Sequence, residues 1–144
     1  LNDLMDDILT DFKTEIHKFN ININISPDLG VINGDRVLLK QAFVNIISNA
    51  IKFVKPISNP QIHILSIKEN SETSIKIIDN GIGLDNSLDI NDIFKLFVKG
   101  NNSENGVGAG LAIVKKIIEK HNGKVVAEKN TPEGLSIKVS FPNV

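Results

Sequence analysis

Two asparagines, Asn45 and Asn49, lie one helical turn apart in a segment, 37–54, whose apolar residues recur with helical spacing. Asparagine is a poor helix former, so two of them on one face of a helix indicate a chemical role. An amide oxygen binds hard cations, an amide NH₂ donates to phosphate oxygens, and Lys52 adds a positive charge to the same seam. The pattern fits a site for a magnesium-bound phosphate compound, but taken alone it is more typical of an ordinary exposed helix face.

A carboxylate, Asp79, stands at the end of the strand pattern of residues 74–79. At the end of a buried strand, an ionised carboxylate is well placed to accept a hydrogen bond from the exocyclic amine of adenine, where guanine presents a carbonyl. Gly81 and Gly83 follow, and glycine lets the backbone approach a flat ring or adopt a positive φ. The same residues are also typical of a simple Asp-Asn-Gly turn.

A second glycine-rich segment, with Gly106, Gly108 and Gly110, directly precedes a predicted helix. Free amides at the start of a helix bind anions, and glycines remove side chains that would block the approach. The segment is not a Walker A loop, because no Gly-Lys-Ser/Thr follows. It differs from the dinucleotide fingerprint because the final glycine comes one place early. Alone, it is equally typical of a flexible linker.

The elements that position these residues follow from the hydrophobic periodicity and the capping residues. Their order predicts an α/β fold, with one mixed sheet covered on one face by three helices. The predicted elements are a helix over 1–19, a strand over 21–25, a long helix capped by Asp35 and running through Phe53 until Pro56 ends it, strands near 61–68 and 73–79, a short helix around 93–97, a helix over 111–121 ended by Asn122-Gly123, and a hairpin of 124–129 and 135–141.

The composition indicates a single domain over residues 1–144. The net charge of −1 and the scattered Lys and Arg argue against nucleic acid or a membrane as partner. The absence of cysteine excludes disulfides and thiolate metal sites. No signal peptide or stretch of 18 or more apolar residues is present, so we expect a soluble, cytoplasmic domain. The start without methionine predicts excision from a longer parent protein, which is free to carry a membrane anchor elsewhere.

The four segments around residues 41–53, 79–83, 93–97 and 106–111 together resemble the nucleotide-binding boxes of the histidine-kinase catalytic and ATP-binding domain. That domain belongs to a superfamily shared with gyrase, mismatch-repair ATPases and heat-shock chaperones. The resemblance covers nearly the whole chain, and the first and last segments are most similar to the kinase branch. It implies the Bergerat fold, a two-layer α/β sandwich, with ATP and Mg²⁺ as cofactors.

The resemblance also implies a role for each matched residue. Asn49 would bind Mg²⁺, Asn45 would contact the phosphates, and Lys52 would approach the outer phosphates. Phosphoryl transfer needs mainly positioning and charge neutralisation, so Asn49 and Lys52 would be the catalytic residues. The other implied positions are Phe53 stacking near the adenine, Asp79, Gly81 and Gly83 around the adenine, Phe94 and Phe97 as anchors of a lid, Lys99 where the family often has arginine, and Gly106, Gly108, Gly110 and Leu111 as far hinge and phosphate cradle.

The reaction that the resemblance implies is transfer of the ATP γ-phosphoryl group to a histidine on a dimerisation domain of the same parent. A receiver domain of a response regulator would then accept it. The acceptor histidine should be followed by an acid, and His17, His63 and His121 are not. We therefore expect this chain to be monomeric and to bind ATP without phosphorylating itself. Residues 1–19 either complete the α/β layers or end the connector from the dimerisation domain.

Three alternatives remain open at this point. An anti-sigma-factor-type serine kinase shares the same pocket. A nucleotide-binding pseudokinase is favoured by Val107, where the family often has Thr or Ser, by Ala109 in place of a larger apolar residue, and by a short lid over 98–105. An ATP-gated clamp of the gyrase kind is disfavoured by the first box and by the lack of an N-terminal strap.

Overall fold

The computed structural model describes residues 1–84, 89–94, 110–130 and 133–144. Its elements in chain order are α1 (Asn2–Asp11), α2 (Lys13–Lys18), β1 (Asn22–Ile25), α3 (Arg36–Val54), β2 (Gln61–Lys68), β3 (Glu72–Asp79), a 3₁₀ turn (Ile90–Asp92), α4 (Gly110–Lys120), β4 (Lys124–Lys129) and β5 (Leu135–Pro142).

The strands form one sheet in the order β1-β2-β3-β5-β4. Strand β1 pairs in parallel with β2, and the other neighbours pair antiparallel, so the predicted mixed sheet is confirmed. Helix α3 packs against β2 and β3, α4 packs against α3, β4 and β5, and α1 packs against α3. The predicted two-layer α/β architecture is therefore correct.

The hydrophobic core lies between the helices and one face of the sheet. Ile64, Ile77 and Ile137 sit side by side across β2, β3 and β5, and all three are buried. Val126 of β4 lies on the opposite face and is exposed. The helices thus cover the face that carries these isoleucines, and the opposite face leaves Val126 exposed. Removal of this apolar surface from water is what holds the helices on the sheet.

Helix α3 begins at the capping residue that the sequence predicts. The Asp35 carboxylate accepts hydrogen bonds from the N–H groups of Val37 (2.9 Å) and Leu38 (3.1 Å). The N–H group of Asp35 itself donates to Nε2 of His121 at 3.0 Å, and Nδ1 of that ring lies 2.8 Å from the carbonyl of Ile117. A neutral imidazole with its proton on Nδ1 satisfies both contacts. The His121 ring therefore fastens the end of α4 to the start of α3.

Helix α3 is long and apolar enough to cross a membrane, by its length and composition alone. Half of its most apolar 18-residue stretch is buried inside the protein, and the core helix of a soluble protein can have the same length and composition. Its packing on β2 and β3 accounts for this composition.

The N-terminal helix differs from the prediction of a single helix over 1–19. It divides at Phe12, whose φ of −99° and ψ of 9° end α1 and precede α2. The Thr10 hydroxyl donates to the carbonyl of Asp6 at 2.7 Å, and such a bond back to the preceding turn bends helices. Phe12 and Ile16 still pack against the core, so the predicted amphipathic face is present on both sides of the break.

The short helix predicted around 93–97 falls only partly within the described residues. The 3₁₀ turn of residues 90–92 precedes it, with the N–H of Asp92 donating to the carbonyl of Asp89 at 2.9 Å. Ile93 is buried and Phe94 packs half-buried against the core, while residues 95–97 lie outside the described residues.

The cap of α3 gives a prediction for stability. Replacing Asp35 by Ala removes the acceptor for two backbone N–H groups and should lower the free energy of unfolding by about 1 kcal/mol. Asp35→Asn keeps a capping oxygen and should lose much less, so it is the matched control. Urea denaturation followed by circular dichroism measures both variants. Equal losses for the two substitutions would show that the cap is not what Asp35 contributes.

Candidate functional site

The site is organised along α3, because both glycine segments contact that helix. Gly81 lies directly on the main chain of Phe53, where an added Cβ would come within 2.5 Å of the Phe53 carbonyl oxygen. The NH₂ group of Asn45 donates to the carbonyl of Gly110 at 3.2 Å. At 1.5 Å per residue these two contacts are about 12 Å apart along the helix, and Asn49 lies between them. The sequence-predicted groups from α3, β3 and α4 thus meet at one helix.

Asp79 is the most unusual group of the site. Its side chain is only 4% exposed at the end of β3, and its Oδ1 accepts hydrogen bonds from the N–H groups of Gly81 (2.9 Å) and Leu135 (3.3 Å). Burial raises the pKa of this carboxyl to about 6, against the lowering effect of the two backbone donors. No donor among the described residues contacts its second oxygen. Within the described residues, the second oxygen of Asp79 is therefore an unused hydrogen-bond acceptor on a buried side chain.

Asn49 carries a second unsatisfied polar group. The NH₂ nitrogen of its side chain is buried and has no hydrogen-bond partner among the described residues. A buried polar group without a partner lowers the stability of the folded protein by about 1–3 kcal/mol. Such a group is expected where a ligand supplies the missing partner. Lys52 follows in the last turn of α3 and is half-buried.

Three further residues of the predicted site, Phe53, Gly83 and Leu111, lie within the described residues. Phe53 is 1% exposed and belongs to the core, so its ring does not offer a face for stacking on adenine as the sequence suggested. Its carbonyl instead accepts the N–H of Ile82 at 3.0 Å and holds the loop after β3. Gly83 has a positive φ of 75°, which favours glycine. Leu111 is buried in the first turn of α4.

Several predicted residues lie outside the described residues. They are Lys99, Gly106 and Gly108 of the cofactor-binding set, Phe97 of the lid anchor, and Val107, Ala109 and the lid segment 98–105.

The hairpin of β4 and β5 adds residues that the sequence did not single out. Asn130 donates from its side chain to the Asp79 carbonyl at 2.9 Å, and Leu135 donates its N–H to the Asp79 carboxylate. Gly134 lies against the same main chain. The sequence showed only a turn between two strands, and no local pattern indicates that this turn meets a residue about fifty positions earlier.

A groove of about 830 Å³ lies elsewhere, between the α1–α2 helices and the edge strand β1. Leu9, Ile16, Ile21 and Ile23 are among the residues that line it, and it contains none of the predicted site residues. Its volume therefore does not bear on the site along α3.

Comparisons with known proteins agree on one family. The profile described as "Histidine kinase-, DNA gyrase B-, and HSP90-like ATPase" matches residues 34–144. The phytochrome-like protein Cph1 of Synechocystis sp. is 33% identical over 144 residues, which cover 99% of this chain and 19% of Cph1. The curated relatives are therefore several times longer than this chain.

Solved structures of histidine kinases have the same fold. The nucleotide-free catalytic domain of histidine kinase ThkA matches with a TM-score of 0.82 and 29% identity, over 99% of this chain and 93% of that one. ThkA in complex with the response regulator protein TrrA matches with a TM-score of 0.80 and 26% identity, over 100% of this chain and 40% of that one.

The raised pKa of Asp79 predicts a pH-dependent stability. Because its folded pKa of about 6 lies above the ordinary value of 3.8, the contribution of this group to stability falls as the pH rises from about 4 through 6. At 1.36 kcal/mol per pKa unit the loss is about 3 kcal/mol. Asp79→Asn resembles the protonated acid, so its free energy of unfolding should equal that of the wild type near pH 4 and exceed it at pH 8. Denaturation curves across this range measure the difference. A variant that is less stable by the same amount at every pH would contradict the prediction.

Proposed function

Because the chain belongs to the family of histidine kinase-, DNA gyrase B- and HSP90-like ATPases, we propose that it binds ATP with Mg²⁺ as the catalytic domain of a sensor histidine kinase. The observation that carries the proposal is the Asp79 carboxylate, which is buried at a strand end beside Gly81 and has one oxygen that no donor among the described residues contacts. The histidine kinase structures that share this fold support the kinase branch.

Asp79 recognises the base in this proposal. An ionised carboxylate only accepts hydrogen bonds, so it pairs with the exocyclic amine of adenine and repels the carbonyl that guanine has at the same position. Gly81 lies so close to the main chain of Phe53 that no side chain fits between them, and this contact holds the loop after β3 beside the Asp79 carboxylate. Burial strengthens the selection, since water does not compete for the carboxylate there.

The phosphates lie toward Asn49 and the start of α4. Among the described residues, no group of three or more His, Cys, Asp and Glu could hold a metal ion. Mg²⁺ typically binds through few protein ligands together with substrate phosphates, and the side-chain oxygen of Asn49 would be such a ligand. The buried NH₂ group of Asn49, which has no partner among the described residues, would donate to a phosphate oxygen. Asn45 contacts the phosphates in this proposal, and Lys52 neutralises their outer charge. Lys99, Gly106, Gly108, Gly110 and Leu111 complete the phosphate side.

The phosphoryl group goes to a histidine on a dimerisation domain of the same parent protein and then to a response regulator. ThkA has been crystallised with a response regulator protein, which supports the second step for this fold. The histidines of this chain have other surroundings: His121 contacts two backbone groups, and Nε2 of His63 lies 3.4 Å from Gln61 Oε1. We propose that the chain is a cytoplasmic, monomeric module, whose parent is free to be anchored in a membrane.

Nucleotide binding is the first test. Calorimetry with ADP and with a non-hydrolysable ATP analogue suits this chain, which has neither Trp nor Tyr for fluorescence. Asp79→Asn should weaken binding about tenfold or more, because a hydrogen bond to a charged group is worth about 1.5–3 kcal/mol. Asp28→Asn is the matched control, since Asp28 is exposed and pairs with Lys68 on the surface. Asn49→Ala should reduce the gain in affinity that Mg²⁺ gives. Wild-type protein that binds no adenine nucleotide would refute the proposal.

The second test concerns the phosphoryl acceptor. With γ-labelled ATP this chain alone should form no stable phosphohistidine, and adding the dimerisation domain of its parent should produce label on that domain. Label on His17, His63 or His121 would refute the separate acceptor. Label on neither protein, with normal ATP binding, would favour the pseudokinase alternative.

A further inference from the structure

On the side that faces β5, the end of β3 is held through side chains, whereas on the other side Asp79 still pairs with Ile62 of β2. The antiparallel register between β3 and β5 ends with Ile78 opposite Ser136. One residue further along, the Asp79 carbonyl accepts a hydrogen bond from the Asn130 side chain at 2.9 Å. The Asp79 carboxylate accepts the N–H of Leu135 at 3.3 Å. Two residues of the closing hairpin thus hold the main chain and the side chain of the same aspartate.

Asn130 is itself fixed in one orientation. Its N–H donates to the Gly134 carbonyl at 3.1 Å, and its side-chain oxygen accepts the hydroxyl of Ser136. The Asp79 carbonyl can only accept a hydrogen bond, so the NH₂ group of the amide must face it. The amide of Asn130 therefore joins β3 to the hairpin through a donor that no carboxylate or aliphatic side chain can replace.

The hairpin main chain lies directly on Asp79. Gly134 has a positive φ of 113°, and an added Cβ would come within 2.0 Å of the Asp79 carbonyl oxygen. The main chain of Gly134 is also 3.8 Å from the position of a Cβ on Gly83. The hairpin consequently supports both the acid and the glycine loop that follows it.

We propose that Asn130 is a positioning residue for adenine recognition: by holding the Asp79 carbonyl, its amide fixes the direction in which the second carboxylate oxygen points. This inference rests on the proposed binding of ATP. The selection of adenine over guanine depends on that direction, because a hydrogen bond weakens steeply as its angle departs from linear. Loss of the Asn130 donor should therefore reduce affinity for adenine nucleotides and, with it, the preference for ATP over GTP.

Two substitutions and one control separate positioning from stability. Asn130→Ala removes the donor, and Asn130→Asp keeps the size and the acceptor for Ser136 but places an acceptor against the Asp79 carbonyl. Asn143→Ala is the matched control, because Asn143 lies beyond the opposite end of β5. Its side chain donates to the carbonyls of Glu69 and Asn70 at 2.9 Å and accepts the hydroxyl of Thr73.

Calorimetry with ATP and GTP analogues, together with thermal unfolding, gives the result. Both Asn130 variants should bind the ATP analogue about tenfold more weakly, with a similar fall in the ATP-to-GTP preference, which corresponds to about 1.4 kcal/mol. Asn143→Ala should lower the unfolding temperature without changing either affinity. Asn130 variants that lose stability but keep wild-type affinity and preference would overturn the inference.

Hydrogen exchange measured by NMR provides a readout that needs no nucleotide. The N–H groups of Gly81 and Leu135 donate to the Asp79 carboxylate, so they should exchange faster in Asn130→Ala than in Asn143→Ala. Unchanged exchange at both amides would overturn the positioning role even where nucleotide binds. Faster exchange in a protein whose wild type binds no adenine nucleotide would support the contact and place the failure in the proposed function.

Discussion

The burial of the Asp79 carboxylate has an energetic cost that the rest of the structure must offset. Backbone N–H groups of Gly81 and Leu135 hold it, and its pKa lies near 6 because burial disfavours the charge. At neutral pH the protein therefore keeps a charge in a place where charge is costly. The apolar contacts between the helices and the sheet must offset that cost. In the proposed complex with ATP, the amine of the base would donate to the carboxylate oxygen that has no donor among the described residues, and this hydrogen bond would offset part of the cost.

Helix α3 serves the core and the site with different faces. Phe43, Ile46 and Ile47 are buried in the core, whereas Asn45 and Asn49 form the polar seam. The amide of Asn49 is buried without a partner in the described part of the chain, an arrangement that breaks the usual rule for interiors. Departures from local rules concentrate at functional sites in natural proteins, and the NH₂ group of Asn49 is such a departure within the described residues. The rigid packing of α3 on β2 and β3 is what keeps the seam in place.

Local signals in the sequence were sufficient for much of this fold. The cap at Asp35 and the bounds of β2 follow from residue types and period, because both depend on neighbours in the chain. The break at Phe12 was not predicted, because no glycine or proline marks it and the apolar spacing of Ile8, Phe12 and Ile16 continues across it. The family resemblance implied that Phe53 stacks near the adenine, whereas its side chain is buried in the core.

The contact of Asn130 with Asp79 was beyond sequence reasoning for a different reason. Those residues are 51 positions apart, and only the pairing of β3 with β5 brings them together. Strand order is a property of the whole chain, so the residue types in a turn do not indicate which distant residue the turn contacts. The candidate site residues could be named from the family resemblance because they occur in short motifs, and the hairpin residues that contact Asp79 do not.

Helix α4 is fastened to α3 at both of its ends. At the far end, the His121 ring accepts the N–H of Asp35, and Gly34 packs so closely that an added Cβ would come within 2.5 Å of the ring. At the near end, the side chain of Asn45 donates to the carbonyl of Gly110, and Leu111 in the first turn of α4 is buried. Packing and a hydrogen bond thus act together at the start of α4, so a ligand that contacted this helix start would also act on α3.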